Sequence, residues 1–184
     1  SDDHEWPVIV IVNPAAGNEN RTYPFREATD GRGYILIGLS FKQRNWNDRN
    51  AKPDLEDLEN MARLIKAMTA KHKINTRQIM LAGCAWGNSR VFEIARRDWS
   101  AWGGYICLSP SWDVPLFPRL NGVPALVAAG NNNDSMQNAK KLAEALDQHG
   151  ASTTYVDSER NNRNNSSWDI TPLNPGAFNP RNPE

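Results

Sequence analysis

Between Gln78 and Ala95 the chain reads QIMLAGCAWGNSRVFEIA. The apolar run Ile79-Met80-Leu81-Ala82 meets Gly83-Cys84-Ala85-Trp86-Gly87, and a helical pattern follows without a spacer. Two glycines four apart at a strand-to-helix junction predict a tight, strained turn, since a side chain two residues before or after its centre would strike the flanking backbone. This is the layout of G-x-S-x-G, the turn that presents a serine nucleophile. Here the central residue is Ala85. A methyl group cannot attack a carbonyl.

The rest of the chain supplies the elements such a turn needs around it. Val8 to Val12 is a β-branched run, the pattern of a strand buried on both faces. It stops at the turn-rich Asn13-Pro14-Ala15-Ala16-Gly17-Asn18. Tyr23 to Thr29 reads as a short helix with Pro24 in its first turn, and Tyr34 to Leu39 as a second buried strand. Pro53 opens a long helix with acidic first turns, in which Leu58, Met61, Ala62, Ile65 and Met68 recur at three- and four-residue steps. Further strands are predicted at Tyr105 to Leu108, Ala125 to Ala129 and Ser152 to Val156, with a helix from Ser135 to His149 stopped by Gly150. Strands alternating with helices at this spacing predict a parallel, doubly wound α/β sheet, whose ligands collect beyond the carboxyl ends of the strands.

Composition excludes some partners. Lys plus Arg equals Asp plus Glu, so no basic excess calls for nucleic acid. The longest apolar run is far short of the roughly 20 residues of a membrane span. Cys84 and Cys107 both fall in strand contexts and read as buried free thiols rather than a disulfide. The opening Ser1-Asp2-Asp3 lacks Met, so a removed leader would imply a secreted or periplasmic chain, and no leader a cytoplasmic one. Composition leaves the oligomeric state open, and no residue pattern calls for a cofactor or a metal.

Together, GCAWG, VIVIVNPAAGN and PALVAAGNNNDSMQNAKKLAEALDQHG resemble the α/β-hydrolases, within them the compact esterase and poly(hydroxyalkanoate)-depolymerase-like branch. The resemblance runs from about Pro7 to Trp168. It implies about six mostly parallel strands with helices on both faces, one domain over residues 1–170, and a Pro/Asn-rich tail over 171–184. It also assigns positions. The nucleophile falls on Ala85; the acid falls on Asn133, with Asp134 next to it. The histidine belongs in the loop after Val156, which carries Asn164-Asn165-Ser166 and no histidine. Of the oxyanion donors, one is the Trp86 N–H, and since Pro14 has none the other falls to Ala15 or Ala16.

Each of these residues also has an ordinary reading. Cys84, as a displaced thiol nucleophile, stands one residue early, and a buried core thiol is the simpler role. Asp134 precedes Gln137 by three, a capping-box spacing. Asn131 to Asn133 serve a turn as readily as a ligand. Ser89, Arg90, Ser109 and Ser111 fall near the elbow, but no base accompanies the hydroxyls. Trp46, Trp86, Trp112 and Trp168 stand in loops expected at the carboxyl edge, as packing plugs or as a ligand platform. Asn164 and Asn165 each begin an N-x-S sequon. The two functional expectations are a non-catalytic hydrolase homologue and a carboxylic ester hydrolase using non-standard residues. The first binds a small-molecule, ester or polymer ligand, or a protein partner, through Asn13, Ala15, Ala16, Trp86, Trp112, Asn133 and Trp168.

Overall fold

A computed structural model describes residues 4–12, 25–26, 29–30, 32–39, 55–85, 87–110, 117–129 and 133–157. Strand β1 (Trp6–Val12) lies between the edge strand β2 (Ile35–Leu39) and β3 (Ile74–Cys84). Beyond β3 come β4 (Gly104–Leu108), β5 (Pro124–Ala129) and β6 (Ser152–Asp157), giving one six-stranded sheet in the order β2-β1-β3-β4-β5-β6. Every neighbouring pair is parallel. Parallel neighbours need crossovers, and three of these carry helices α1 (Leu55–Lys71), α2 (Gly87–Ala95) and α3 (Asn133–Gln148). The all-parallel sheet answers the expectation of a mostly parallel one.

Alternation along the strands divides the core in two. Val8, Val10 and Val12 share one side with Leu81, Cys107 and Val127. Ile9 and Ile11 share the other with Met80, Ala82, Ile106 and Leu126. Among the described residues the helices cover the two faces unequally, against the expectation of helices on both. Residues of α1, α2 and α3 all join the first cluster, whereas the second is covered by Phe25, from a helical turn in which the Thr29 hydroxyl donates to the Phe25 carbonyl at 2.7 Å. The same alternation separates the cysteines, since Cys107 lies in the first cluster and Cys84 packs on the second. A disulfide between them is ruled out by the sheet itself, and neither cysteine is in one.

On α1 the buried stripe is narrower than expected. Met61 is buried and Ile65 and Met68 are half-buried, steps of four and three that follow one helix face. Ala62, expected with them, is exposed because it stands one residue and about 100° around the helix from Met61. The Leu58 side chain lies outside the described residues.

At the amino ends of the strands, aromatic rings close the first cluster. Phe117 packs edge-on against Phe92 at 5.1 Å between centroids, and against Trp99 and His149 at 5.7 and 5.9 Å. Tyr105 completes the group, 6.0 Å from both Phe92 and Trp99. Trp99 is placed there by a 3-10 turn, Trp99–Ala101, whose cap is Asp98, accepting from the Ser100 N–H. Burial raises the Tyr105 phenol and the Cys107 thiol well above their ordinary pKa values.

Candidate functional site

The elbow forms as the sequence predicts. Ala85 follows β3 directly, with φ at 48°, in the left-handed region that side chains with a Cβ rarely adopt. Gly83 shows why the flanking position is glycine: a Cβ there would lie 2.9 Å from the Asn88 backbone N and Cα. Gly83 is also in register with Val12 on one side and Cys107 on the other, so the turn springs from the middle of the sheet.

Hydrogen bonds lock this turn to the next strand. The Ala85 N–H donates to the Leu108 carbonyl at 2.9 Å. Asn88, only 1 % exposed, donates from Nδ2 to the same Leu108 carbonyl and to the Ala85 carbonyl, both at 2.9 Å. Its backbone N–H reaches the Ala85 carbonyl as well, at 3.2 Å. Asn88 was not among the residues singled out by sequence. The available signal was its place on α2, where it shares the buried face with Val91, Phe92 and Ala95 at helical spacing.

One strand over, Ser109 repeats the conformation. It follows β4 with φ at 44°, is half-buried, and donates its N–H to the Ala128 carbonyl at 2.7 Å. Cys84 pairs in register with Leu108, so Ala85 and Ser109 are the next residues along adjacent strands. Ser89 and Arg90 lie in the first turn of α2, both half-buried.

The acid-equivalent positions fall where expected in topology but not in local structure. Helix α3 begins at Asn133, two residues earlier than predicted, so Asp134 lies inside its first turn and not ahead of it. The capping-box reading of Asp134 is thereby replaced: an exposed carboxylate in the first turn acts on the helix dipole. Asn13, Ala15, Ala16, Trp46, Trp86, Ser111, Trp112, Asn131, Asn164, Asn165, Ser166, Trp168 and the tail 171–184 lie outside the described residues.

All three histidines lie at the other end of the sheet. His4 precedes β1 and packs edge-on against Trp6 at 4.4 Å, His72 precedes β3, and His149 precedes β6 within the ring cluster. A strand of five residues, at about 3.3 Å per residue, sets the two edges roughly 15 Å or more apart. No group of three His, Cys, Asp or Glu among the described residues is placed to hold a metal, and none of their helices is long and apolar enough to cross a membrane.

Comparison with solved structures agrees with this geometry. A thermostable esterase superposes with a TM-score of 0.65 at 15 % identity, over 85 % of this chain and 47 % of its own. A carboxylesterase from Mesorhizobium loti gives 0.63 at 14 % identity, covering 82 % of this chain and 78 % of that one. The Bacillus cereus carboxylesterase gives 0.62 at 20 % identity, covering 83 % and 78 %. The chain thus spans less than half of the first of these proteins. No protein-family model matches the chain, and neither does any curated protein. A parallel sheet with a left-handed turn between β3 and α2, together with these neighbours, defines an α/β-hydrolase-type fold.

Proposed function

We propose that this chain is a non-catalytic member of the α/β-hydrolase fold that binds a ligand or partner at the edge where related folds hold their catalytic residues. The observation carrying this reading is the separation of chemistry from place. The elbow backbone is built and held, yet its side chain is a methyl, and every histidine of the chain stands at the opposite edge. A Ser-His-Asp mechanism needs nucleophile, base and orienting acid in hydrogen-bonded series. An anion or carbonyl group is the ligand chemistry that the amino end of α2 favours.

Steady-state turnover of p-nitrophenyl acetate and butyrate, compared with heat-killed protein, tests the reading. No difference is expected. Fluorophosphonate probes, which need an activated serine, should leave the protein unlabelled. The second reading, an ester hydrolase using other residues, draws on the esterases among its structural neighbours and on the hydroxyl of Ser109 beside Ala85. Stoichiometric labelling mapped to Ser109 would establish that reading and refute the first.

Restoring the nucleophile gives a complementary test. Ala85→Ser alone should remain below enzymatic rates of roughly 1–10³ per second, because no base would deprotonate it. Ala85→Ser with a histidine introduced at Asn164, Asn165 or Ser166 should exceed it. If Ala85→Ser alone turns over at enzymatic rates, a base is already present and the non-catalytic reading fails.

A further inference from the structure

The side chain of Asn88 occupies a place that an apolar residue would fill at less cost. It is buried on the same face of α2 as Val91, Phe92 and Ala95, and its Oδ1 finds no hydrogen-bond partner among the described residues. A polar residue sealed in with an unpaired acceptor is unfavourable unless its donors are needed. Both Nδ2 hydrogens are in use, one on each of two carbonyls. Turning the amide over would set Oδ1 against the same two oxygens, so the orientation follows from the partners.

Those partners are the carbonyl of Ala85, at the centre of the elbow, and that of Leu108, at the end of the adjacent strand. Residue 85 sits at φ 48° with a Cβ, a conformation from which a free chain relaxes. Its carbonyl accepts twice from Asn88, through the backbone N–H and through Nδ2. We propose that Asn88 is the positioning residue of the elbow, its carboxamide bridging the Ala85 and Leu108 carbonyls so that residue 85 stays left-handed. The assignment is independent of whether the site binds or hydrolyses its ligand.

Carbon chemical shifts report backbone φ, which makes the role measurable in the folded chain. In Asn88→Leu, of similar size but without donors, the Ala85 Cα and Cβ shifts should move out of the left-handed range. Asn121, left-handed at the far end of the sheet with φ at 47°, should not move and serves as the control. Asn88→Asp should titrate. Burial raises its carboxyl pKa, the protonated acid can donate to one carbonyl, and the carboxylate can donate to none. Ala85 should therefore resemble the unsubstituted protein near pH 4 and the leucine variant near pH 8. Should the leucine variant not fold, exchange of the Asn88 side-chain amide in the unsubstituted protein decides. Its hydrogens should be slowed at least about a hundredfold relative to an exposed amide. Unchanged Ala85 shifts in Asn88→Leu, or exchange at the exposed rate, would overturn the assignment.

Discussion

At the amino ends of the strands, the described left-handed residues are Gly33, Asn121, Gly122 and Gly150, whereas at the carboxyl ends they are Ala85 and Ser109. Glycine adopts this conformation freely, and asparagine tolerates it better than most residues. Alanine and serine bear a cost of about 1–2 kcal/mol each. Both edges turn the chain by the same device, and only one of them uses residues that resist it. The two edges also differ in their interiors. The amino edge is filled by five packed rings, while the carboxyl edge is tied together by a buried asparagine; among the described residues each edge also holds an unpaired buried polar atom, Trp102 Nε1 at the first and Asn88 Oδ1 at the second. Strain persists where surrounding contacts over-determine it, and such places gather at functional sites. One end of this sheet is therefore built for packing and the other for shape.

The comparison can be broken most severely at the amino edge. Phe117→Ala removes a ring that touches three others and should destabilise the protein by about 3–5 kcal/mol in urea denaturation. The Ala85 chemical shifts of the folded fraction should not change. A loss under about 1 kcal/mol would mean the rings cover a surface and do not form a core. Gly83→Ala is the matching lesion at the carboxyl edge. Its Cβ meets backbone that cannot swing aside, and about 1–3 kcal/mol of destabilisation is expected, with Ala85 displaced.

Alkaline pH sharpens the contrast. The raised values of Tyr105 and Cys107 mean that each group keeps its proton in the folded state after losing it in the unfolded one. Their contribution is complete below the ordinary values of 10.0 and 9.0 and is lost as pH rises beyond them. Stability should fall above about pH 9 by up to about 1.4 kcal/mol per pH unit for each ionising group. In Cys107→Ala the fall should begin nearer pH 10; an unchanged profile would remove the thiol from the account.

The smallest effects test the strain itself. Ala85→Gly and Ser109→Gly should each stabilise by about 0.5–1 kcal/mol, the left-handed cost less the extra chain entropy of glycine. Asn121→Gly should change stability by less than about 0.5 kcal/mol. If glycine at 85 or 109 destabilises instead, the methyl or hydroxyl makes contacts that outweigh the strain.

The fold was readable because its signals are local. Val8 to Val12 has no arrangement but a strand buried on both faces, and Gly83 and Gly87 bracket a turn whose centre must be strained. Asn88 was harder to read. In the run Gly87-Asn88-Ser89-Arg90 it looks like the polar start of a surface helix, and only its alignment with Val91, Phe92 and Ala95 shows that it faces inward. The ring cluster was not legible at all, since Phe92, Trp99, Tyr105, Phe117 and His149 come from five separate segments that only the sheet brings together. The start of α3 was misplaced because a three-asparagine run reads as turn, yet Asn133 already belongs to the helix. The left-handed state of Ser109 left no mark in its neighbours.

The bonds from the Ala85 N–H to Leu108 and from the Ser109 N–H to Ala128 each continue the ladder one residue past the end of a strand. Loops around binding sites commonly open on their own, at free energies far below that of global unfolding. Here the two residues at the turn share their hydrogen bonds with the central strands, so neither can be released without tearing the sheet. The skeleton of the site is thereby part of the ladder formed by β3, β4 and β5. The amide protons of Ala85 and Ser109 should accordingly exchange with solvent as slowly as those inside β4 and β5. A ligand resting on these two residues would meet a framework as firm as the sheet itself.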